Sequence, residues 1–425
     1  MKRFIEAALL IAIAASSSAI FGQYSRQGTN GTGSFLVTAV NQMDIYRPDE
    51  MIRLDLAEIE DKFPSFNAKG FFVSEDDHEI PSQISEGELG KSSEIIFVAS
   101  FAPMETKTLQ ISWEDKVVDV HHYPRMTQAA MGMKVGYEKV NGYYTGGRFV
   151  DVDSTTVPHD HFAHDALYRV EGPGWESGKI AYRFYLDSRN RNDIFGKKTH
   201  GLVLETIGEN DLISDSRESY TKMLDWGMDI FKVGESLGIG SIAMWHDSQA
   251  ATVGDVAKVE CSVFNGPIRS GVFTKYLGWK TGGKEYNLVT DLSISAGSRL
   301  TKVSASINND TVLLCTGLAK HDSCDLMGSV PSAKGVWRYL ALYGKQSLSG
   351  DNLGIAVFYR KTDMLKLTHD GTSQIVVLRP TDGRLTYYFG AAWEEEPGGI
   401  KSEKEFKEYL ERTASVLDDP IGVYF

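Results

Sequence analysis

Between His159 and Lys232 the chain gathers an unusual density of side chains able to move protons or hold anions. The run opens with His159-Asp160-His161 and His164-Asp165. Imidazole and carboxylate together can ligate a divalent ion, so His159, His161 and His164 form a possible metal set. No single strand or helix presents all three on one face, however, and nothing else in the sequence calls for a cofactor. One histidine acting alone as a proton-transfer group is the simpler expectation, because imidazole titrates near neutrality. His164 is the candidate chosen for it.

The next block, Tyr182-Arg183-Phe184-Tyr185-Leu186-Asp187, alternates as a strand does. Tyr182, Phe184 and Leu186 share one face and suit a core. Arg183, Tyr185 and Asp187 share the other, at a spacing of about 6.5–7 Å. A guanidinium can grip a carboxylate through two parallel hydrogen bonds, so Arg183 is a candidate anion clamp; the plainer alternative is an Arg183–Asp187 structural pair. Trp175 and Trp226 lie between glycines with acids beside them, as sugar-stacking rings or as buried anchors. Arg189, Arg191, Lys197, Lys198 and Lys232 add positive charge that would suit an anionic ligand. Glu176 neighbours Trp175, and His321 lies in a turn-like Lys320-His321-Asp322 context.

These residues need a scaffold, and the scaffold reads as strands. Gly33 to Val40, Glu94 to Phe101 and Lys107 to Trp113 are β-rich and separated by turn formers, which predicts a small sandwich over residues 33–120. Residues 121–148 look like an irregular bridge rich in Gly and Tyr. From Lys179 onward, strands are expected at 180–186, 202–206, 240–245, 257–264, 272–278, 286–294, 300–307, 355–359, 374–380 and 385–391. One helix is expected, Ser402 to Leu417, with Ser402 and Glu405 as a capping box. The fold class is therefore all-β, with residues 121–425 as the larger, catalytic region.

The 425 residues carry 44 Lys+Arg against 57 Asp+Glu, a net charge of −13 with no basic run, which argues against a nucleic-acid partner. Met1-Lys2-Arg3, the apolar stretch Ala7 to Ala15 and the small residues after it predict an export signal over residues 1–22, and a periplasmic or extracellular protein. No later segment is apolar enough for a membrane span. In an oxidising compartment, Cys261, Cys315 and Cys324 would leave one disulfide and one thiol, with Cys315 and Cys324 near enough in sequence to pair. Glycine-rich nucleotide loops, zincin motifs and nucleophile elbows are absent from the sequence.

Several segments resemble the secreted family catalogued as domain of unknown function 4861, found in polysaccharide-degrading bacteria. They are Tyr46 to Glu50, Pro81-Ser82-Gln83, Ala102 to Lys107, Glu176-Ser177, Ala181 to Asp187, Asp193, Gly196-Lys197, Val233 to Gly240 and Gly266 to Arg269 leading to Gly278-Trp279. The resemblance implies a β-supersandwich like that of galactose mutarotases and several polysaccharide lyases. It also implies an oligosaccharide dehydratase of the kind used on ulvan, removing water from a non-reducing-end uronic acid to leave a 4,5-unsaturated sugar. Such an enzyme needs a base for H5, an acid at the C4 oxygen and cations beside the carboxylate. The expected catalytic residues are His164, Arg183 and Tyr185. Trp175, Glu176, Arg189, Lys197, Trp226, Lys232 and Arg269 are expected to line a uronate-containing oligosaccharide. A chain-cleaving lyase, in which an alcohol and not water leaves C4, a two-carboxylate glycoside hydrolase and a non-catalytic carbohydrate-binding protein are the alternatives.

Overall fold

The computed structural model describes residues 32–115, 122–208, 219–329 and 335–425. The expected export signal and the boundary at 120 lie outside these residues. What is described is an all-β sandwich with open sheets.

Its backbone is a nine-stranded antiparallel sheet. Across the sheet the strands run Ser154–Thr156, Val256–Phe264, Arg269–Thr281, Lys284–Ser295, Leu300–Ile307, Arg384–Trp393, Leu353–Arg360, Trp337–Gly344 and Cys324–Gly328. Two five-stranded sheets share its main apolar core. One contains Gly227–Asp229, Asn192–Lys197, Ala181–Phe184, Gly174–Ser177 and Thr127–Ala130 in that order. The other contains Gln249–Thr252, Ala243–His246, Leu314–Ala319, Ser373–Leu378 and Met364–His369. Polar rungs tie the first of these to the large sheet: the Trp175 indole donates to Thr301 Oγ1 at 2.8 Å, and the Tyr182 hydroxyl donates to the Arg299 carbonyl at 2.6 Å.

The N-terminal strands fold around a second core. Gly33–Val40 shows the alternation that puts one face inside: Phe35, Val37 and Ala39 are buried while Leu36 is 47 % exposed. This sandwich also takes the chain's last strand, Gly422–Tyr424, which pairs with Gly33–Val40. A seven-residue helix that strand periodicity did not announce, Leu56–Lys62, is started by Asp55, whose side chain accepts from the Ala57 and Glu58 amides.

The C-terminal helix is Glu403–Asp418, capped by Ser402 as expected. Glu405 reaches back to the Lys401 amide at 2.8 Å, one residue earlier than the standard box. Phe406 and Leu410 are fully buried against Trp337, Tyr343 and Phe358, and burying each stabilises by about 1.5–3 kcal/mol. Among the described residues no helix is long and apolar enough to cross a membrane.

Three expectations are corrected. The bridge is not irregular: it contributes strands Thr127–Ala130, Gly132–Val135, Glu138–Val140 and Tyr143–Thr145. Residues 202–206 form turns, because the Glu176 carboxylate takes the Val203 and Leu204 amides that a strand partner would need. All three cysteines are free; Cys315 pairs with Val377 in one sheet, whereas Cys324 pairs with Gly344 in another.

Candidate functional site

A cleft of about 230 Å³ is lined mainly by residues between Phe149 and Glu171, with Asp187, Gly208 and Tyr220 completing it. Its lining includes His161, His164, Asp165, Tyr168, Glu171 and Asp187. The backbone here is strained. His164, Ala166, Val170 and Glu171 all have positive φ, between 50° and 67°, at a cost of order 1–3 kcal/mol each. A β-branched valine in this region is a genuine outlier, and such clustering is characteristic of sites whose side chains must be aimed.

The aim is clearest at His161. Its Nδ1 lies 2.7 Å from Asp165 Oδ2, with the two side chains 4 % and 1 % exposed. Asp165 is itself fixed, accepting from the Phe162 amide at 3.2 Å and the Leu167 amide at 3.0 Å. With a proton on Nδ1 shared with this carboxylate, the neutral ring carries its lone pair on Nε2. Nε2 is buried and has no hydrogen-bond partner. A ring fixed by an acid at one nitrogen and left without a partner at the other is an arrangement a general base can use.

His164, also in the lining, is 72 % exposed, and its Nδ1 meets the Glu171 carboxylate. Glu171 also takes Arg189 Nη2 at 3.1 Å and lies 3.8 Å from Arg183 Nη1, so this single carboxylate joins the cleft to the cations behind it. Arg189 grips Asp187 through Nε and Nη2 and covers the Tyr185 ring at 3.8 Å.

Behind this layer is a closed polar cluster. Arg183 Nη2 lies 2.6 Å from both Asp193 Oδ2 and Asp229 Oδ2, and the Tyr185 hydroxyl donates to Asp193 Oδ2 at 2.5 Å. Burial pushes Asp229 up to about 7; Arg183 pulls it down, and Asp193 across the same nitrogen pushes it further up. Burial likewise raises the Tyr185 phenol far above its ordinary value.

The expected site residues therefore separate into groups. His164 is in the cleft, and Arg189 holds two of its carboxylates. Arg183 and Tyr185 lie beneath, on the face that strand alternation assigned them. The guanidinium gives Nε and Nη2 to Asp193 and Asp229 and does not pair with Asp187, while its buried Nη1 has no hydrogen-bond partner and lies 3.8 Å from Glu171. Trp175 is wholly enclosed between Tyr182 and Phe389, with no ring face left for a sugar. Glu176 and Lys197 form a fully buried pair at 2.5 Å, remote from solvent. Trp226 packs its edge on Phe195, and Lys232 is exposed after Gly227–Asp229. Arg269 is buried between the N-terminal sandwich and the large sheet, on Asp291 at 3.1 Å and near Glu88 at 3.9 Å. His321 is exposed on Ser323. The local positive patch is thus neutralised, since Arg183, Arg189, Arg191 and Lys197 each have a carboxylate partner.

His159 is exposed, and His161 and His164 face different acids. Among the described residues no three His, Cys, Asp or Glu side chains are arranged to hold a metal ion. The residue that sequence reasoning passed over is His161, whose signal was a carboxylate four positions on, at Asp165.

An all-β sandwich with one strained, histidine-bearing cleft is the class of protein defined here. The chain belongs to the family described as Domain of unknown function (DUF4861), whose model matches residues 40–423. A relative from Formosa agariphila, named Uncharacterized protein P7, is 23 % identical over 292 residues, covering 64 % of this chain and 71 % of that one. Two solved structures from Enterococcus faecalis share 10 % identity over 92 % of this chain. One is described as a protein in the Glycosyl Hydrolase Family 38 (TM-score 0.47), the other as an alpha-mannosidase (TM-score 0.44). The chain spans about half the length of each, 47 % and 46 %, and likenesses this distant carry no functional argument.

Proposed function

We propose that the protein is an exported carbohydrate-active lyase that eliminates water from C4 of a non-reducing-end uronic acid on an oligosaccharide. The observation that carries this reading is the buried, unpartnered Nε2 of His161 at the cleft, backed by Asp165. Elimination needs one base strong enough to take a proton from carbon and one acid for the leaving oxygen. In the proposed reaction H5 passes to His161 Nε2, and its electron pair forms the C4–C5 double bond. The C4–O bond breaks as the hydroxyl takes a proton from His164 and leaves as water. Arg189, which holds the lining carboxylates Glu171 and Asp187 from behind, is the cation that offsets the sugar carboxylate as charge builds on it, alongside His164 as the acid.

The state of the carboxylates also supports elimination over hydrolysis. A glycoside hydrolase needs two acids free to act on the sugar. Here Asp165 is engaged by His161, Asp187 by Arg189, and Glu171 by His164 and Arg189. The test is ultraviolet absorbance from the new conjugated double bond during incubation with uronate-ended oligosaccharides. Wild type should produce it and His161→Ala should not; reducing sugar released with no absorbance change would favour the hydrolase instead.

A further inference from the structure

The two tryptophans expected to stack on sugar are engaged in packing, yet an exposed aromatic pair stands beside the cleft. Strands Glu138–Val140 and Tyr143–Thr145 form a hairpin closed by Asn141 and Gly142, both with positive φ (52° and 90°). A two-residue Asn-Gly loop of this kind matches the twist of its strands and holds the hairpin rigid. The hairpin is tied to the cleft wall: the Tyr144 amide donates to the Asp165 carbonyl at 2.8 Å, and buried Lys134 donates to the Tyr144 carbonyl at 2.7 Å. With Tyr144 turned inward, strand alternation turns Tyr143 outward, 50 % exposed.

Tyr143 meets Phe162, itself 38 % exposed, edge to face with ring centroids 5.3 Å apart. Phe162 directly follows the proposed base, and its amide is held by Asp165. Two perpendicular rings form a corner with one floor and one wall. Near it, Lys139 lies 4.7 Å from the Tyr144 ring centroid and pairs with Asp160 at 2.5 Å, adding polar groups at the edge. The apolar face of a pyranose carries C–H bonds that are attracted to the negative face of an aromatic ring, while its hydroxyls stay wet.

We propose that Tyr143 and Phe162 form a second sugar subsite, taking the ring next to the one that occupies the cleft. This rests on the cleft being a sugar site, and it makes chain length a property the protein reads. The two exposed rings are held by a tight hairpin and by each other, and Phe162 adjoins the proposed base in sequence.

The experiment is calorimetric titration of the full chain with two probes: methyl β-glucuronide, which fills the cleft alone, and a glucuronate-ended disaccharide. The readout is the ratio of the two affinities. Wild type should prefer the disaccharide, and Phe162→Ala or Tyr143→Ala should lower that preference about tenfold, a change readily measured. Phe162→Tyr should restore most of it. An affinity ratio that the alanine variants leave intact, or a wild type that does not prefer the disaccharide, including one that binds neither probe, overturns the proposal. Repeated in the His161→Ala background, where the proposed reaction cannot turn the disaccharide over, the ratio reports binding alone, and length preference with no ultraviolet product from wild type would leave the subsite standing and refute elimination alone.

Discussion

His161 Nδ1 lies 2.7 Å from Asp165 Oδ2 with both side chains buried, and this contact leaves Nε2 as the unpartnered nitrogen of a ring that lines the cleft. Replacing the acid by its amide keeps the shape but removes the charge that fixes the tautomer. Asp165→Asn and His161→Ala should each lower turnover by about 10²–10⁴-fold. Rate measurements alongside circular dichroism check this; activity within twofold of wild type in a folded His161→Ala protein would remove His161 from the mechanism.

Glu176 and Lys197 were expected in a binding role, and their enclosure gives them a structural one. Lys197 also donates to the Ser177 carbonyl at 2.6 Å, and Glu176 takes two backbone amides. Lys197→Met leaves a buried carboxylate without its counter-charge and should destabilise by about 3–5 kcal/mol. Urea unfolding measures it, and the protein that remains folded should turn over substrate at the wild-type rate.

Asp229 gives a pH dependence of definite sign. Its carboxyl is raised from 3.8 to about 7 in the folded protein, so the native state holds a proton that the unfolded chain has lost. The stability linked to this proton is present below the unfolded value and is lost as pH rises through 7. Thermal stability should therefore fall between about pH 4 and pH 7, the interval between the two values, and Asp229→Asn should flatten the trend.

At the junction of the two sandwiches the sign reverses. Burial pushes the Glu88 carboxyl up, but Lys302, Arg53 and Arg269 outweigh it and hold it at about 2, against an ordinary 4.5. That depression corresponds to about 3 kcal/mol, present above the unfolded value and lost as pH falls from 4.5 towards 2. Urea midpoints at neutral and acid pH should show the loss, and Glu88→Gln should be weaker at neutral pH with a shallower acid slope.

Much of the scaffold could be read from residue pattern because alternation and capping are local. Leu300–Ile307 was expected with the bounds it has, and Ser402 caps the final helix. The face shared by Arg183 and Tyr185 was likewise legible, since their side chains meet at 3.0 Å. What those side chains do was not legible, because it depends on Asp193 and Asp229 arriving from neighbouring strands. Trp175 between glycines looked like a loop ring, yet Gly174–Ser177 is a strand with a partner on either side. The Asn141-Gly142 turn was a local signal present in the sequence and overlooked amid surrounding glycines and tyrosines.

The central claim is that the cleft removes water from a sugar acid and leaves the chain length intact. Mass spectrometry of a panel of uronate-ended oligosaccharides before and after incubation tests it most directly. The predicted product is lighter than its substrate by one water, with every sugar residue retained. Shorter chains that have gained water, or a panel recovered unaltered, would contradict it.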